Sequence, residues 1–225
     1  MPDPLTAVTD MITLLCAKHK MDWSLFCQSP DVTFEMINGT PQLPWDYKYV
    51  SKNPNITIEI VVGTPDLPWD YSSLSVNINI TGPIVFDQYP SLPWDYRQLS
   101  LNRNITYDIV RSHPDIPWYY PFLSRNPSIL LQDVTDNMGH PWDWTSLTLQ
   151  NWATAATITQ NKKLPWNWKI ASAKSDLTID IIINPDNAEL YSVWDWTVVS
   201  SNKNFNTQIA INNLTYPWVW EYLYR

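Results

Sequence analysis

Glycine is scarce in this chain of 225 residues, which has four glycines, Gly39, Gly63, Gly82 and Gly139, with no two of them close together. A loop that cradles phosphate groups needs clustered glycines, so the sequence excludes nucleotide-binding motifs of that kind. Charged residues make up 16% of the chain, whereas ordinary soluble domains have about 25%. Because the net charge is -8 and no run of Lys or Arg is present, we expect no nucleic-acid partner.

Cysteines and long apolar runs are also few. Cys16 and Cys27 are the only cysteines, too few for a disulfide framework or a thiolate metal site. The apolar run Met11–Cys16 is too short for a signal core or a membrane span, and no basic region precedes it. We therefore expect a chain that is not secreted and has no membrane span.

Tryptophan and proline are abundant, with 14 Trp and 19 Pro, and both belong to an internal repeat. The segment Pro-Trp-Asp-Tyr at Trp45 recurs with variation at intervals of 24, 25, 24, 24, 24, 28 and 24 residues. These tryptophans form a first aromatic column, predicted to be the core of the repeat: Trp45, Trp69, Trp94, Trp118, Trp142, Trp166, Trp194 and Trp218. Met21 takes the same position in a degenerate first copy.

Other columns keep the same spacing. A second aromatic column lies two residues after the first: Trp23, Tyr47, Tyr71, Tyr96, Tyr120, Trp144, Trp168, Trp196 and Trp220. A serine column lies six residues after the first: Ser51, Ser75, Ser100, Ser124, Ser172 and Ser200, with Cys27 and Thr148 as variants. An apolar column lies eleven residues after the first and extends back to Val8, so the period spans nearly the whole chain.

The spacing of apolar residues in the second half of each unit favours a short helix. Offsets of four and five, as in Ile56, Ile60 and Val61, define one helical face. β-Branched runs such as Thr178–Ile183 fit strands equally well, so a β-solenoid is the alternative. We predict an all-α fold, an α-solenoid of about nine 24-residue units with two helices of about six to nine residues each.

Two local signals set the expected helix ends. Asp46 as an N-cap would place Trp45 and Val50 at the positions of a hydrophobic staple. Asn53 and Asn126, each followed by Pro, would end the first helix and cap the second. We expect one helical-repeat domain over residues 1–225, with partial repeats at 1–20 and 217–225.

Two insertions interrupt the period, one residue around Phe86–Pro90 and four within Asn184–Ser192. Insertions in solenoids gather in loops on one face, which is often the binding face. We therefore predict partner contacts at these residues: Phe86, Tyr89, Asn187, Glu189 and Tyr191. Trp152, the one tryptophan outside both columns, is a further candidate, although a core or neighbour-repeat role fits it equally well.

No arrangement of residues indicates catalysis. The acidic column, Asp22, Asp46, Asp70, Asp95, Asp143 and Asp195, has members a full repeat apart, which suits helix caps better than paired carboxylates. The histidines His19, His113 and His140 lack metal-ligand spacing. The serine column has no recurrent His partner. We expect no catalytic, metal or cofactor site.

The pattern Pro-Trp-Asp-Trp/Tyr-x-x-Leu-Ser-x-Asn-x-x-Ile-Thr is clearest in Pro68–Ser75, Pro93–Val110 and Pro117–Ile129. It resembles the short tryptophan-rich repeats in proteins of giant DNA viruses of amoebae and algae. Copies after Trp142 depart from the pattern, with Trp152 in place of Asn and Ala171 in place of Leu. The resemblance covers nearly the whole chain and implies a viral origin and an α-helical array.

On that basis we expect a non-enzymatic structural component of a giant-virus particle, a minor capsid or scaffold protein that acts by protein–protein contact. Its partners would be capsid proteins or copies of itself, in the virion or in the cytoplasm of an infected host cell. The alternatives are a host-directed interaction adaptor and a glycan-binding module that uses exposed tryptophans.

Overall fold

The computed structural model describes residues 22–224, and within that range the chain is helical with no strand. The predicted all-α repeat is confirmed, and the β-solenoid alternative is not supported. Val8, Cys16, His19, Met21 and the expected partial repeat at 1–20 lie outside the described residues. The chain divides into two compact units, Met1–Phe122 and Leu123–Arg225, and the expectation of one continuous domain stays a prediction.

The first unit contains short helices and one π-helical turn. Its elements are α1 (Trp23–Cys27), α2 (Phe34–Gly39), α3 (Tyr47–Val50), α4 (Ile58–Gly63), α5 (Tyr71–Leu74), the π-turn (Ile84–Gln88), α6 (Tyr96–Leu99) and α7 (Tyr107–Ser112). Helix α8 (Tyr120–Leu123) contains the boundary between the units.

The second unit continues the same alternation of first and second helices. Its elements are α9 (Leu131–Thr135), α10 (Trp144–Leu149), α11 (Ala155–Gln160), α12 (Trp168–Ser172), α13 (Ile179–Ile183), a 3₁₀ helix (Pro185–Ser192), α14 (Trp196–Ser201), α15 (Thr207–Asn212) and a 3₁₀ turn (Trp220–Tyr222). Helices this short are not stable alone in water, so each depends on packing against its neighbours.

The first helix of each repeat begins where the acidic column predicts. The Asp46 carboxylate accepts the backbone N–H of Lys48 at 3.0 Å, with Trp45 before the cap and Val50 as the fourth helical residue. The same side-chain cap is present at Asp22, Asp70, Asp95, Asp143, Asn167 and Asp195. The predicted role of the acidic column as helix caps is therefore confirmed.

The expected Asn-Pro cap of the second helix is wrong. The N-cap of α4 is Thr57, four residues after Asn53, and that of α9 is Leu130, four residues after Asn126. The α-helices have four to six residues, so the longest of them reach only the lower end of the expected six to nine. The reason is a contact between repeats: the buried side chain of Asn53 donates to carbonyl oxygens of the preceding repeat, and residues 54–57 are not helical.

Asparagine side chains join consecutive repeats. The amide of buried Asn77 donates to the carbonyl oxygens of Ser51 and Asn53 at 2.9 and 3.0 Å, and its own oxygen accepts the N–H of Asn79 at 2.8 Å. Asn79 in turn donates to Pro54 and Ile56. Equivalent pairs occur at Asn53 with Asn55, Asn102 with Asn104, and Asn202 with Asn204. We call this pattern the asparagine ladder.

The serine column forms a second link between repeats. The hydroxyl of Ser75 donates to the Tyr71 carbonyl at 2.7 Å and accepts the N–H of Asp95, in the next repeat, at 3.0 Å. The cap residue of the following repeat donates in the same way to Ser51, Ser100, Ser124, Thr148, Ser172 and Ser200. A small hydroxyl at each buried position therefore satisfies one donor at the start of the next first helix.

Most members of the first aromatic column are buried. Its members are buried at Trp69, Trp94, Trp142, Trp166, Trp194 and Trp218, and half-buried at Trp45 and Trp118. Rings of the second column meet the next first-column ring edge-on, as Trp144 does with Trp166 at a centroid distance of 5.1 Å. Such pairs contribute about 0.5–1.5 kcal/mol beyond the area that they bury.

Seven of the eight first-column indoles also donate a hydrogen bond to a backbone carbonyl just beyond the end of the preceding second helix. The Trp69 Nε1–H group donates to the Thr64 carbonyl at 3.0 Å. The same bond, five residues back along the chain, is made by Trp45, Trp94, Trp118, Trp142, Trp166 and Trp218. This series is the tryptophan ladder.

The one-residue insertion leaves the tryptophan ladder intact. The second helix there is the π-turn, in which the Tyr89 N–H donates to the Ile84 carbonyl at 2.9 Å. A π-turn holds one residue more than an α-helical turn, so the extra residue is absorbed within the helix. Trp94 still donates to Tyr89 at 2.9 Å.

Candidate functional site

The four-residue insertion forms an element that the other described repeats lack, the 3₁₀ helix Pro185–Ser192, which we call the insertion helix. Asn184 caps it by accepting the N–H of Asp186 at 3.0 Å. Asn187 and Leu190 are buried, and the Asn187 amide donates to the Ile181 carbonyl at 2.8 Å. These contacts fix the insertion helix against α13, so it is an ordered part of the second unit.

A lysine from the preceding repeat holds the other side of the insertion helix. The Lys162 Nζ atom lies 2.9 Å from Glu189 Oε1 and also donates to the Asp186 carbonyl. The hydrogen bond from Lys162 and its positive charge keep the pKa of the Glu189 carboxyl below its usual range. The positive charge of Lys162 is therefore already paired within the protein.

A groove of about 540 Å³ opens beside this helix, a volume within the range of about 300–1,000 Å³ that is usual for ligand sites. Helix α11, helix α13 and the insertion helix form its walls. The lining residues are Ala156, Thr159, Gln160, Lys162, Asp180, Ile181, Asn184, Asp186 and Asn187. Most of them carry hydrogen-bonding side chains, so the groove suits a polar ligand.

The insertion also interrupts the tryptophan ladder. Trp194 is 4% exposed, as is Trp166 in the preceding repeat. Its Nε1–H group is the buried side-chain donor that has no acceptor within residues 22–224. The residue that follows α13, Asn184, lies ten positions before Trp194, whereas the residue that follows α11, Asn161, lies five positions before Trp166. A buried donor without an acceptor costs about 1–3 kcal/mol.

Three aromatic rings gather at the end of the insertion helix. Trp196 stacks on Tyr216 at a centroid distance of 5.3 Å, and Tyr191 lies 5.7 Å from Trp196 and 5.8 Å from Tyr216. Tyr191 is 43% exposed, and the other two rings are half-buried. We call these three residues the aromatic cluster.

The predicted contact residues Asn187, Glu189 and Tyr191 thus lie together on the insertion helix, but Phe86 and Tyr89 belong to the first unit. Phe86 stacks on His113 at a centroid distance of 4.0 Å and lies edge-on to Trp118 at 6.1 Å. Tyr89 is half-buried and supplies the carbonyl acceptor for Trp94. Both residues therefore have contacts with later residues of the repeat array.

Trp152 occupies a position of the asparagine ladder. Its indole N–H donates to the Ile129 carbonyl at 3.0 Å, as Asn79 does to Ile56, and its ring meets Trp166 at 6.2 Å. This is the neighbour-repeat contact that the sequence left open. The side chain is half-buried, so part of it still faces solvent.

Sequence reasoning missed Lys162, Asp180 and Tyr216. Tyr216 carries a signal, because most repeats have Leu or Ile two residues before the first-column tryptophan, as at Leu67 and Ile116. The sequence holds no such signal for Lys162 and Asp180, because only the packing of α11 and α13 places them beside the groove.

Comparison with family models, with curated proteins and with solved structures gave no match. Between residues 22 and 224, no helix has the length and apolarity needed to cross a membrane. The same part of the chain holds no cluster of three or more His, Cys, Asp or Glu side chains arranged to bind a metal ion.

Proposed function

We propose that this chain is a non-enzymatic repeat scaffold that binds a protein partner through the insertion helix, the groove and the aromatic cluster. The observation that carries the proposal is the change of structure at the four-residue insertion. There the repeat gains an ordered helix, a groove of about 540 Å³ and a buried indole without an acceptor. A buried donor without an acceptor lowers the stability of the fold, and proteins retain such local losses of stability mainly at functional sites.

The hydrogen bonds of the repeat support the non-enzymatic part of the proposal. The acidic column caps helices and the serine column accepts backbone N–H groups, as Asp70 and Ser75 show. These residue types, which elsewhere serve as acids, bases and nucleophiles, have structural partners here. The function therefore rests on surface contact.

The biological setting is the second part of the proposal. The resemblance to giant-virus tryptophan-rich repeats supports a structural role in a virus particle, as a minor capsid or scaffold component. Mass spectrometry of purified particles of the encoding virus tests it. Detection at a fixed ratio to the major capsid protein is expected, whereas absence from the particles would refute the structural role.

A deletion tests the binding surface. Removal of residues 187–190 reduces the spacing between Trp166 and Trp194 from 28 to 24 residues, the usual period. Tagged intact chain and the deletion variant are compared by crosslinking and affinity capture from infected cells. The control, Pro65→Ala with Asp66→Ala, alters the corresponding loop of a repeat without an insertion.

We expect proteins captured by the intact chain and by the control to be lost with the deletion variant, provided that circular dichroism shows it to be folded. Equal capture by all three chains would refute a role for the insertion.

The aromatic cluster favours a second candidate, a glycan-binding module. Tyr191 presents an exposed ring beside Trp196 and Tyr216, and aromatic faces are suited to stacking on sugar rings. A glycan array probed with the intact chain and with Tyr191→Ala tests this function, with exposed Tyr224→Ala as the control. Glycan signals that Tyr191→Ala abolishes would favour it, and an array without signal would exclude it.

A further inference from the structure

We propose that the second unit contains a hinge at one interface between consecutive repeats, and that Lys162 is the strap that keeps this hinge closed. The interface lies between residues 141–164 and residues 165–192, and we call it the charged joint. When the hinge opens, helices α10 and α12 stay packed, while α13 and the insertion helix move away from α11. The hinge goes beyond the proposed function, because it is a property of the isolated chain.

The asparagine ladder is interrupted at the charged joint. Lys174 and Asp176 take the two positions that hold asparagine in the pairs of the ladder. The Lys174 Nζ group donates to the Gln150 carbonyl at 3.3 Å, and the Asp176 carboxylate accepts the Ala155 N–H at 2.9 Å. Between described residues, the ladder positions thus contribute two hydrogen bonds at this joint, three at the preceding joint and four at the following one. The charged joint is therefore the least firmly held of the three.

The charge of Lys174 also favours opening of this joint. The side chain is half-buried, and burial lowers the pKa of its ammonium group, whereas the nearby Asp176 carboxylate has the opposite effect. An ammonium group has three N–H donors, and within residues 22–224 this one bonds to a single acceptor, the Gln150 carbonyl. Because a charged group is more stable in water than in a partly buried position, Lys174 gains hydration when the joint opens.

The first helices on the two sides of the joint keep the usual contacts of the array. The Asn167 N–H donates to Thr148 Oγ1 at 3.0 Å, as other cap residues do along the serine column. The rings of Trp144 and Trp166 meet edge-on at a centroid distance of 5.1 Å. These contacts hold α10 against α12, so the axis of the hinge lies between the first helices.

The groove lies between the second helices of the same two repeats. Residues of α11 and the segment after it line one side, and residues of α13 and the insertion helix line the other. The gap of about 540 Å³ leaves the contact between these elements incomplete. Elements with few buried contacts are the ones that open locally, so the groove is the side on which the hinge opens.

Lys162 spans this side of the joint. Its Nζ atom, which belongs to the repeat before the joint, lies 2.9 Å from Glu189 Oε1 and donates to the Asp186 carbonyl, both on the insertion helix. The Glu189 side chain is 65% exposed. Exposed ion pairs add little to stability and are weakened further by salt. The strap can therefore release without unfolding of the repeats that it connects.

Hydrogen–deuterium exchange of the full chain, measured by mass spectrometry at neutral pH, tests the hinge. Lys162→Gln removes the strap. Its matched control is Lys163→Gln, which removes the same charge from the next residue, an exposed lysine that forms no ion pair in the described chain. Lys174→Asn with Asp176→Asn restores the asparagine pair at the charged joint. Exchange is compared between α12, which should stay fixed, and α13 with the insertion helix, which should move.

We expect Lys162→Gln to speed exchange in α13 and the insertion helix about twofold to fivefold, with less than about a 1.5-fold change in α12 or in the Lys163→Gln control. Sodium chloride at about 0.5 M should speed the same exchange in the intact chain but not in Lys162→Gln. Restoring the asparagine pair should slow exchange in α13 about fivefold or more, because two hydrogen bonds are added.

Three results would overturn the hinge. Equal exchange in Lys162→Gln and Lys163→Gln would show that the strap holds nothing closed. Equal acceleration of α12 and α13 would indicate unfolding of the whole repeat. Unchanged exchange after Lys174→Asn with Asp176→Asn would show that the charged joint is as firmly held as its neighbours.

The hinge and the proposed function fail in different ways. If the deletion of residues 187–190 leaves partner capture unchanged while Lys162→Gln speeds exchange in α13, the proposed function is wrong and the hinge stands. If capture depends on those residues but exchange is the same in Lys162→Gln as in the intact chain, the insertion binds the partner and only the hinge is wrong.

Discussion

The same substitution in two adjacent repeats should have different effects on stability, because one indole has a hydrogen-bond acceptor and the other has none. Trp166 and Trp194 are both 4% exposed and both meet a second-column tryptophan edge-on at 5.1 Å. Replacement by Phe therefore removes a similar buried volume at each position. The two positions differ in the Nε1–H group, which donates to Asn161 at 2.9 Å from Trp166 and to no described residue from Trp194.

The magnitude follows from hydrogen-bond energetics. Trp166→Phe loses a bond with a net contribution of about 0.5–1.5 kcal/mol. Trp194→Phe instead removes a buried donor whose missing acceptor costs about 1–3 kcal/mol. The free energy of unfolding should therefore fall further for Trp166→Phe than for Trp194→Phe, by about 1.5–4.5 kcal/mol.

Urea unfolding followed by far-ultraviolet circular dichroism measures this difference without relying on tryptophan fluorescence. Both residues lie in the second unit, so the variants report on the same part of the chain, and equal m-values would confirm that the same transition is compared. Equal destabilisation, within about 0.5 kcal/mol, would show that the Trp194 indole has an acceptor in solution and would refute the reasoning.

Four further outcomes are expected. Asn77→Ala should lower the free energy of unfolding by about 2–4 kcal/mol in urea titrations, because three hydrogen bonds are lost, and Asn79→Ala by less; equal effects would contradict the asparagine ladder. Ser75→Ala should cost about 1–3 kcal/mol and Ser75→Cys less, since Cys27 occupies this column; a larger loss for Cys would oppose this account. Burial raises the pKa of Tyr120 to about 12, so the folded chain keeps a proton that the unfolded chain loses near pH 10, and stability should fall as the pH rises from about 10 to 12. Difference absorbance titration against Tyr120→Phe measures this, and ionisation of Tyr120 near pH 10 would contradict it. Excision of residues 94–117, one whole repeat, should leave a soluble helical protein by circular dichroism, whereas excision of twelve residues should unfold it; equal behaviour of the two deletions would count against nearest-neighbour packing.

The repeat register and the fold class could be predicted from the sequence because they depend on positions that recur. A cap such as Asp46 acts within its own turn, and the burial of Trp69 or Leu74 recurs at the same offset in most copies. Periodicity and the cap signal therefore favoured helix, although β-branched residues such as Ile58 favour the opposite assignment and kept a β-solenoid open as the alternative.

The role of the asparagines could not be predicted in the same way. Asn53 followed by Pro54 has the local composition of a helix start, but its amide bonds to carbonyls 21 to 26 residues earlier in the chain. A bond of this kind depends on the stacking of repeats, which local sequence rules do not contain. The same limit explains why Lys162 and Asp180 were missed.

The insertions were located from the sequence, but their structural effects were not. One extra residue converts a helical turn into the π-turn and preserves the bond from Trp94 to Tyr89. Four extra residues form a separate helix and remove the acceptor of Trp194. Whether an insertion is absorbed depends on whether one helical turn can widen to include it, which only the structure shows.

The asparagine ladder places a chemical condition on production of this protein. Asn55, Asn79 and Asn104 each precede Ile and Thr, the acceptor pattern for N-linked glycosylation. The amide nitrogen that would carry the sugar donates two hydrogen bonds at each position, as from Asn55 to Pro30 and Val32. A glycan would leave that nitrogen with a single hydrogen. A chain glycosylated before folding would therefore lose hydrogen bonds between repeats at three consecutive interfaces. Expression in a glycosylating compartment should therefore give misfolded protein unless these threonines are replaced.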